Sequence, residues 1–116
     1  MAQDDLTKMK CVPCESDIPA MKDAEIQSML DQVPGWEVMR VDGIPRLKRA
    51  FQFKNFAQAL AFTNTVGEIA EAQGHHPVIE LTWGRVTVEW WTHNIKGLHQ
   101  NDFIMAAKTS EAYDNR

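Results

Sequence analysis

Residues 75–93 read HHPVIELTWGRVTVEWWTH, and the alternation inside this stretch decides the fold. Ile79, Leu81 and Trp83 recur at every second position, and Val86, Val88 and Trp90 do the same beyond Gly84. A period of two is that of a strand with one buried face, so the stretch predicts two strands, Val78 to Trp83 and Arg85 to Trp91. The connection near Gly84 is too short for a parallel crossover, which makes the pair antiparallel. A second pair lies upstream, where Trp36 to Val41 and Arg46 to Phe53 flank the hairpin signal Asp42-Gly43. Trp36 and Val38 share one face of its first strand, and Leu47, Phe51 and Phe53 share one face of its second. Arg49 falls on that same face, so it is expected to snorkel or to meet a carboxylate.

Helices separate the strand pairs. From about Lys22, the residues Ile26, Met29, Leu30 and Val33 follow the i, i+3, i+4, i+7 spacing of an amphipathic helix, which Pro34 and Gly35 end. Asn55 is a good N-cap for a long helix over Phe56 to Gln73, and Gly74 is its stop. Its apolar positions are Phe56, Ala59, Leu60, Val66 and Ala70, widened by Phe62 and Ile69, a stripe broad enough for the sheet and one neighbouring helix. A last helix starts near Gln100, with Asp102 at the positive end of its dipole and Phe103, Ala106 and Ala107 turned inward. The order is α-β-β-α-β-β-α, predicting an α+β, two-layer domain: a four-stranded antiparallel sheet with three helices on one face. Residues 1–20, broken by Pro13 and Pro19, read as a flexible arm, and residues 21–116 as one domain.

Composition narrows the class. The 116 residues are 44% hydrophobic and 24% charged, an ordinary balance that excludes a disordered or collagen-like chain. No apolar run approaches the roughly 20 residues of a membrane-spanning helix, and the acidic start, Met1-Ala2-Gln3-Asp4-Asp5, does not read as a secretory signal. A cytoplasmic protein is therefore expected. Its net charge of −4 argues against a phosphate backbone as partner, so no direct nucleic-acid contact is expected; Arg46, Lys48, Arg49 and Lys54 read as a solvated edge. Cys11 and Cys14 form one C-x-x-C with no second half to complete a zinc site, and they read as solvated thiols on the arm.

Four histidines are many for this length, and two are adjacent. His75 and His76 precede one strand and His93 follows its hairpin partner, so antiparallel pairing sets all three at one end of the sheet. Glu71, on the last turn of the long helix, is close to the same point. Three readings suit such a cluster. Histidines can be ordinary surface or capping residues, as His99 reads at the start of the last helix. Three imidazoles can bind zinc with an open position, although adjacent side chains tend to diverge in extended chain. Or the cluster is an acid/base pocket, since imidazole exchanges protons near neutrality; no serine or cysteine is set beside it as a nucleophile.

A longer pattern ranks these readings. Glu71-x₃-His75-His76-Pro77, five residues, Trp83, nine residues, His93, eight residues and Asp102 resemble the signature of the pterin-4a-carbinolamine dehydratases. The likeness extends to Pro34-Gly35-Trp36, Phe51-x-Phe53-Lys54-Asn55-Phe56, Thr92-His93 and Gly97-Leu98, covering about Ile26 to Ala107. Fixed gaps over some 30 residues are far more specific than a short motif. The resemblance implies dehydration of 4a-hydroxytetrahydropterin to quinonoid dihydropterin, restoring the pterin of aromatic amino acid hydroxylases, with no metal and no cofactor. It implies His75, His76 and His93 as catalytic histidines, with Glu71 orienting one of them. The segments His75–Pro77 and Thr92–Ile95, that is His75, His76, Pro77, Thr92, His93, Asn94 and Ile95, are implied to hold the pterin. A homo-oligomer, dimer or tetramer, is implied as well. Two alternatives stay beside it: a non-catalytic dimerisation cofactor of transcription, and a homologue acting on another pterin, such as one of molybdenum cofactor metabolism. Trp36, Trp83 and Trp90 read as core, and Asp102 as a helix-start charge.

Overall fold

The computed structural model describes residues 6–11 and 19–115. Its elements are α1 (Asp23–Leu30), β1 (Glu37–Val41), β2 (Ile44–Gln52), α2 (Phe56–Gln73), β3 (Val78–Thr82), β4 (Arg85–Trp90), a 3₁₀ turn (His93–Ile95) and α3 (Gln100–Asp114). Between Asp23 and Asp114 this is the anticipated α-β-β-α-β-β-α order, with three helices and one four-stranded antiparallel sheet. None of the described helices is long and apolar enough to cross a membrane.

The sheet order is β1-β2-β4-β3. After β2 the chain crosses over as α2 and returns on the outside, so β4 folds back between β2 and β3. Val41 faces Ile44 across the first hairpin, and Asp42 and Gly43 both take positive φ, 54° and 80°. Two such residues make the turn whose twist matches the flanking strands. Leu47 pairs with Trp90 and Phe51 with Val86, which lines these side chains with Val88 along the helix-facing side of the sheet. There they meet Ala59, Phe62, Val66 and Ala70 of α2 and Phe103, Ala106 and Ala107 of α3, all buried. Each large apolar side chain buried this way contributes about 1.5–3 kcal/mol.

Local signals set α2. The Asn55 side chain accepts the N–H of Gln58, and Gly74 takes φ 65° as the left-handed stop. Phe56 and Leu60, included in its apolar stripe, are 44% and 41% exposed instead. They flank the narrow arc that the small residues Ala59 and Ala70 bring close to the sheet. The first helix stops at Leu30, short of Val33, and the chain continues in tight turns, with the Gln32 and Val33 N–H groups donating to the Met29 and Leu30 carbonyls; Val33 is buried all the same.

Four further expectations are corrected. Trp83, read as core, is 69% exposed, because it lies in the turn past the last sheet pair, Thr82 with Arg85. The basic strand is no solvated edge. β2 is an interior strand, Arg46 ion-pairs with Glu89 at 2.9 Å, and Arg49 donates to the Ser110 hydroxyl at 2.9 Å. The segment read as an arm packs onto the domain over residues 6–11. Leu6 is buried in the core and Lys108 donates to the Thr7 carbonyl at 2.7 Å. Cys11 is half-buried there, its backbone N–H donating to Gln73 Oε1 and its sulfur 3.9 Å from the Asn101 carbonyl, while Cys14 lies outside the described residues.

Candidate active site

The site forms where α2 ends and the β3–β4 hairpin opens. At Gly74 the chain reverses, its N–H and that of His75 closing onto the last carbonyls of α2. His75, His76 and Pro77 then lead into β3. Because Val78 pairs with Glu89, the residues before β3 and those after β4 fall at the same end of the sheet. Beyond β4, Thr92 and Gly97 pair through their backbones, closing a small loop that carries His93, Asn94 and Ile95. Gly97 is needed there, since a Cβ would come within 2.7 Å of the Ala20 Cβ.

Asp102, in the first turn of α3, is fully buried and joins three chain segments. Its Oδ1 is 2.7 Å from His75 Nε2, and its Oδ2 accepts from the Thr92 hydroxyl at 2.8 Å and the His99 N–H at 2.9 Å. A buried carboxylate is tolerated when its oxygens are bonded in this way, and the positive end of the helix dipole favours its charge. The ionised carboxylate can only accept, so His75 donates from Nε2 and its neutral ring carries the remaining lone pair on Nδ1. The His75 ring lies parallel to Trp90, with centroids 5.8 Å apart and planes 9° apart.

His76 forms the second imidazole–carboxylate pair, its Nε2 2.7 Å from Glu71 Oε1. This pair is open to solvent. His93, also exposed, stacks on Trp91 with a centroid distance of 4.3 Å. Among the described residues, no hydrogen bond or ring contact joins His93 directly to His75 or His76; it follows Thr92, which bonds to Asp102. His99 caps α3, its Nδ1 accepting the Asn101 N–H at 3.0 Å. The three histidines thus lie at one end of the sheet with separate partners, and no three or more His, Cys, Asp or Glu among the described residues are grouped to hold a metal ion.

Asp102, read as a helix-start charge, is instead the buried acceptor that joins His75, Thr92 and His99. Its aspartate at the third helical position signals a capping box with His99, but the bonds to His75 and Thr92 carry no local signal. Arg46, read as part of a solvated edge, meets Trp91 near the same end of the sheet. The guanidinium carbon of Arg46 sits 3.7 Å from the Trp91 ring centroid.

A two-layer α+β domain with histidines paired to carboxylates at one end of its sheet is a scaffold suited to proton transfer on a small molecule. The chain belongs to the family described as pterin 4 alpha carbinolamine dehydratase, which matches residues 19–112. It is 55% identical over 108 residues to a protein of Marinobacter nauticus, covering 93% of this chain and 97% of that one. It is 51% identical over 110 residues to one of Saccharophagus degradans, covering 95% and 97%. Both relatives are provisionally named pterin-4-alpha-carbinolamine dehydratase. Among solved structures, a transcriptional coactivator/pterin dehydratase from Brucella melitensis aligns with TM-score 0.74 at 31% identity, over 81% of this chain and 98% of that one. A pterin dehydratase-like RuBisCO assembly factor of the alpha-carboxysome, 22% identical with TM-score 0.59 over 68% of this chain and 89% of that one, shares the fold.

Proposed function

We propose that the protein dehydrates 4a-hydroxytetrahydropterin to quinonoid dihydropterin and water by histidine acid/base catalysis. The observation that carries the reading is the pair of imidazole–carboxylate contacts, His75–Asp102 and His76–Glu71, beside the Thr92–His93 turn in a chain of this family. In the reaction the C4a–O bond breaks as the departing hydroxyl takes a proton and leaves as water. N5 gives up its proton, and the electron pair of that N–H bond forms the C4a=N5 double bond. One acid and one base are needed: the C4a–O electron pair leaves with the oxygen, the N5–H pair replaces it at C4a, and no oxidant or reductant takes part.

Each carboxylate engages one ring nitrogen of its histidine and leaves the other free to exchange a proton with the substrate. His75, His76 and His93 supply the acid and base, Glu71 and Asp102 orient their histidines, and each positioned acid or base contributes roughly 10²–10⁴-fold. That corresponds to about 3–5 kcal/mol of barrier. Pro77, Thr92, Asn94 and Ile95 border the flat pterin. The reading extends to a cytoplasmic homo-oligomer that recycles the pterin of an aromatic amino acid hydroxylase.

Steady-state dehydration of synthetic 4a-hydroxytetrahydropterin tests this. The purified protein should accelerate water loss, and folded His76→Ala and His93→Ala variants should each lose about 10²-fold or more. Near wild-type rates in both variants would sink the acid/base assignment. Comparing 4a-hydroxybiopterin with other pterins identifies the substrate.

A further inference from the structure

We propose that Arg46 and Trp91 are positioning residues for His93, holding an exposed imidazole at the fixed orientation that proton transfer requires; the inference rests on the dehydratase reading above. An imidazole open to solvent at the start of a short 3₁₀ turn would ordinarily sample several rotamers. The His93 ring instead lies nearly parallel to the Trp91 indole, 4.3 Å between centroids and 17° between planes. Trp91 can serve as a fixed platform because it is itself only 8% exposed.

Trp91 is held in turn. Leu47 pairs with Trp90, so continuing the register brings Arg46 opposite Trp91, on the sheet face away from the Trp90 side chain. The Arg46 guanidinium lies over the indole at 3.7 Å, and its Nη1 is tied to Glu89 Oε1 at 2.9 Å. Glu89 is buried, two residues before Trp91 on the same face. Arg46 Nε is also buried and has no hydrogen-bond partner among the described residues. Buried polar groups are nearly always bonded, and an exception asks for an explanation. Lying flat on the indole supplies one, because that orientation serves the ring at the expense of a hydrogen bond. A chain of contacts therefore runs from Glu89 through Arg46 and Trp91 to His93.

Neither Arg46 nor Trp91 touches the reacting atoms in this account, so their effect must pass through His93. The test compares kcat and KM for dehydration in wild type, Trp91→Ala, Trp91→Phe and Arg46→Met, and repeats Trp91→Ala in a His93→Ala background. Trp91→Ala should lower kcat about 10–100-fold and leave KM within about twofold. Trp91→Phe keeps a stacking face and should restore most of the rate, whereas Arg46→Met should lower kcat by a smaller factor. In the His93→Ala background, Trp91→Ala should have no further effect, since the two act as one unit. NMR of the His93 ring protons gives a readout independent of activity. Their upfield ring-current displacement should vanish in Trp91→Ala and persist in Trp91→Phe. A folded Trp91→Ala or Arg46→Met with unchanged kcat overturns the inference, and so does an equal loss in the His93→Ala background. Should Trp91→Ala fail to fold, Arg46→Met and Trp91→Phe decide the matter by the same criteria. A wild-type protein without dehydratase activity overturns the functional reading itself, an outcome distinct from all of these.

Discussion

Changing Asp102 to asparagine alters one atom of a fully buried side chain and leaves its volume in place. Oδ2 accepts from two donors, the Thr92 hydroxyl and the His99 N–H, while Oδ1 meets His75 alone. The asparagine oxygen therefore stays with the two donors, and its NH₂ turns towards His75. His75 can receive that NH₂ only at a bare Nε2, which moves its proton to Nδ1. The ring remains where it is with the opposite tautomer. Hydrogen bonds to a charged partner contribute about 1.5–3 kcal/mol and neutral ones about 0.5–1.5 kcal/mol. Three bonds each weakened by about 1 kcal/mol lower stability by about 3 kcal/mol, or roughly 12 °C in Tm for a domain of this size.

The effect on rate is of another kind. If His75 acts as the base, its Nδ1 has lost the lone pair that takes the proton. If it acts as the acid, its imidazolium has lost the countercharge. Either way kcat should fall about 10²-fold or more, the range for one positioned acid or base. Circular-dichroism melting measures the first quantity, and steady-state dehydration well below the variant's Tm measures the second. Asp102→Ala strands all three donors and should lose both stability and activity. A folded Asp102→Asn protein with kcat within about threefold of wild type would refute the tautomer argument.

Glu71→Gln breaks the exposed contact to His76 and should change stability by less than about 0.5 kcal/mol while lowering kcat, a separation that melting and kinetics read on one sample. Gly74→Ala should cost about 1–2 kcal/mol by backbone strain alone, since φ is 65° and a Cβ there meets nothing within 4 Å; chemical denaturation measures it. Leu6→Ala should destabilise by about 2–5 kcal/mol, because Leu6 is buried in the core; a change under about 0.5 kcal/mol would show that residues 6–11 do not hold the fold together.

The features legible before folding are local. The alternation from Ile79 to Trp90, the Asp42-Gly43 turn and the bounds of α2 between Asn55 and Gly74 all express preferences of neighbouring residues for particular backbone angles. The convergence of His75, His76 and His93 on one end of the sheet was legible too, since a tight hairpin returns its ends to the same place. Tertiary contacts placed β2 inside the sheet, and thereby made Arg46 a half-buried ion-pair partner instead of an edge charge. They left Trp83 in solvent in the hairpin turn and drew Leu6 into the core. They also gave Asp102 three donors from three segments, one of them, His75, 27 residues away in the chain. Whether a side chain is buried, and what it must bond to once buried, depends on segments distant in sequence. No local preference encodes that partner.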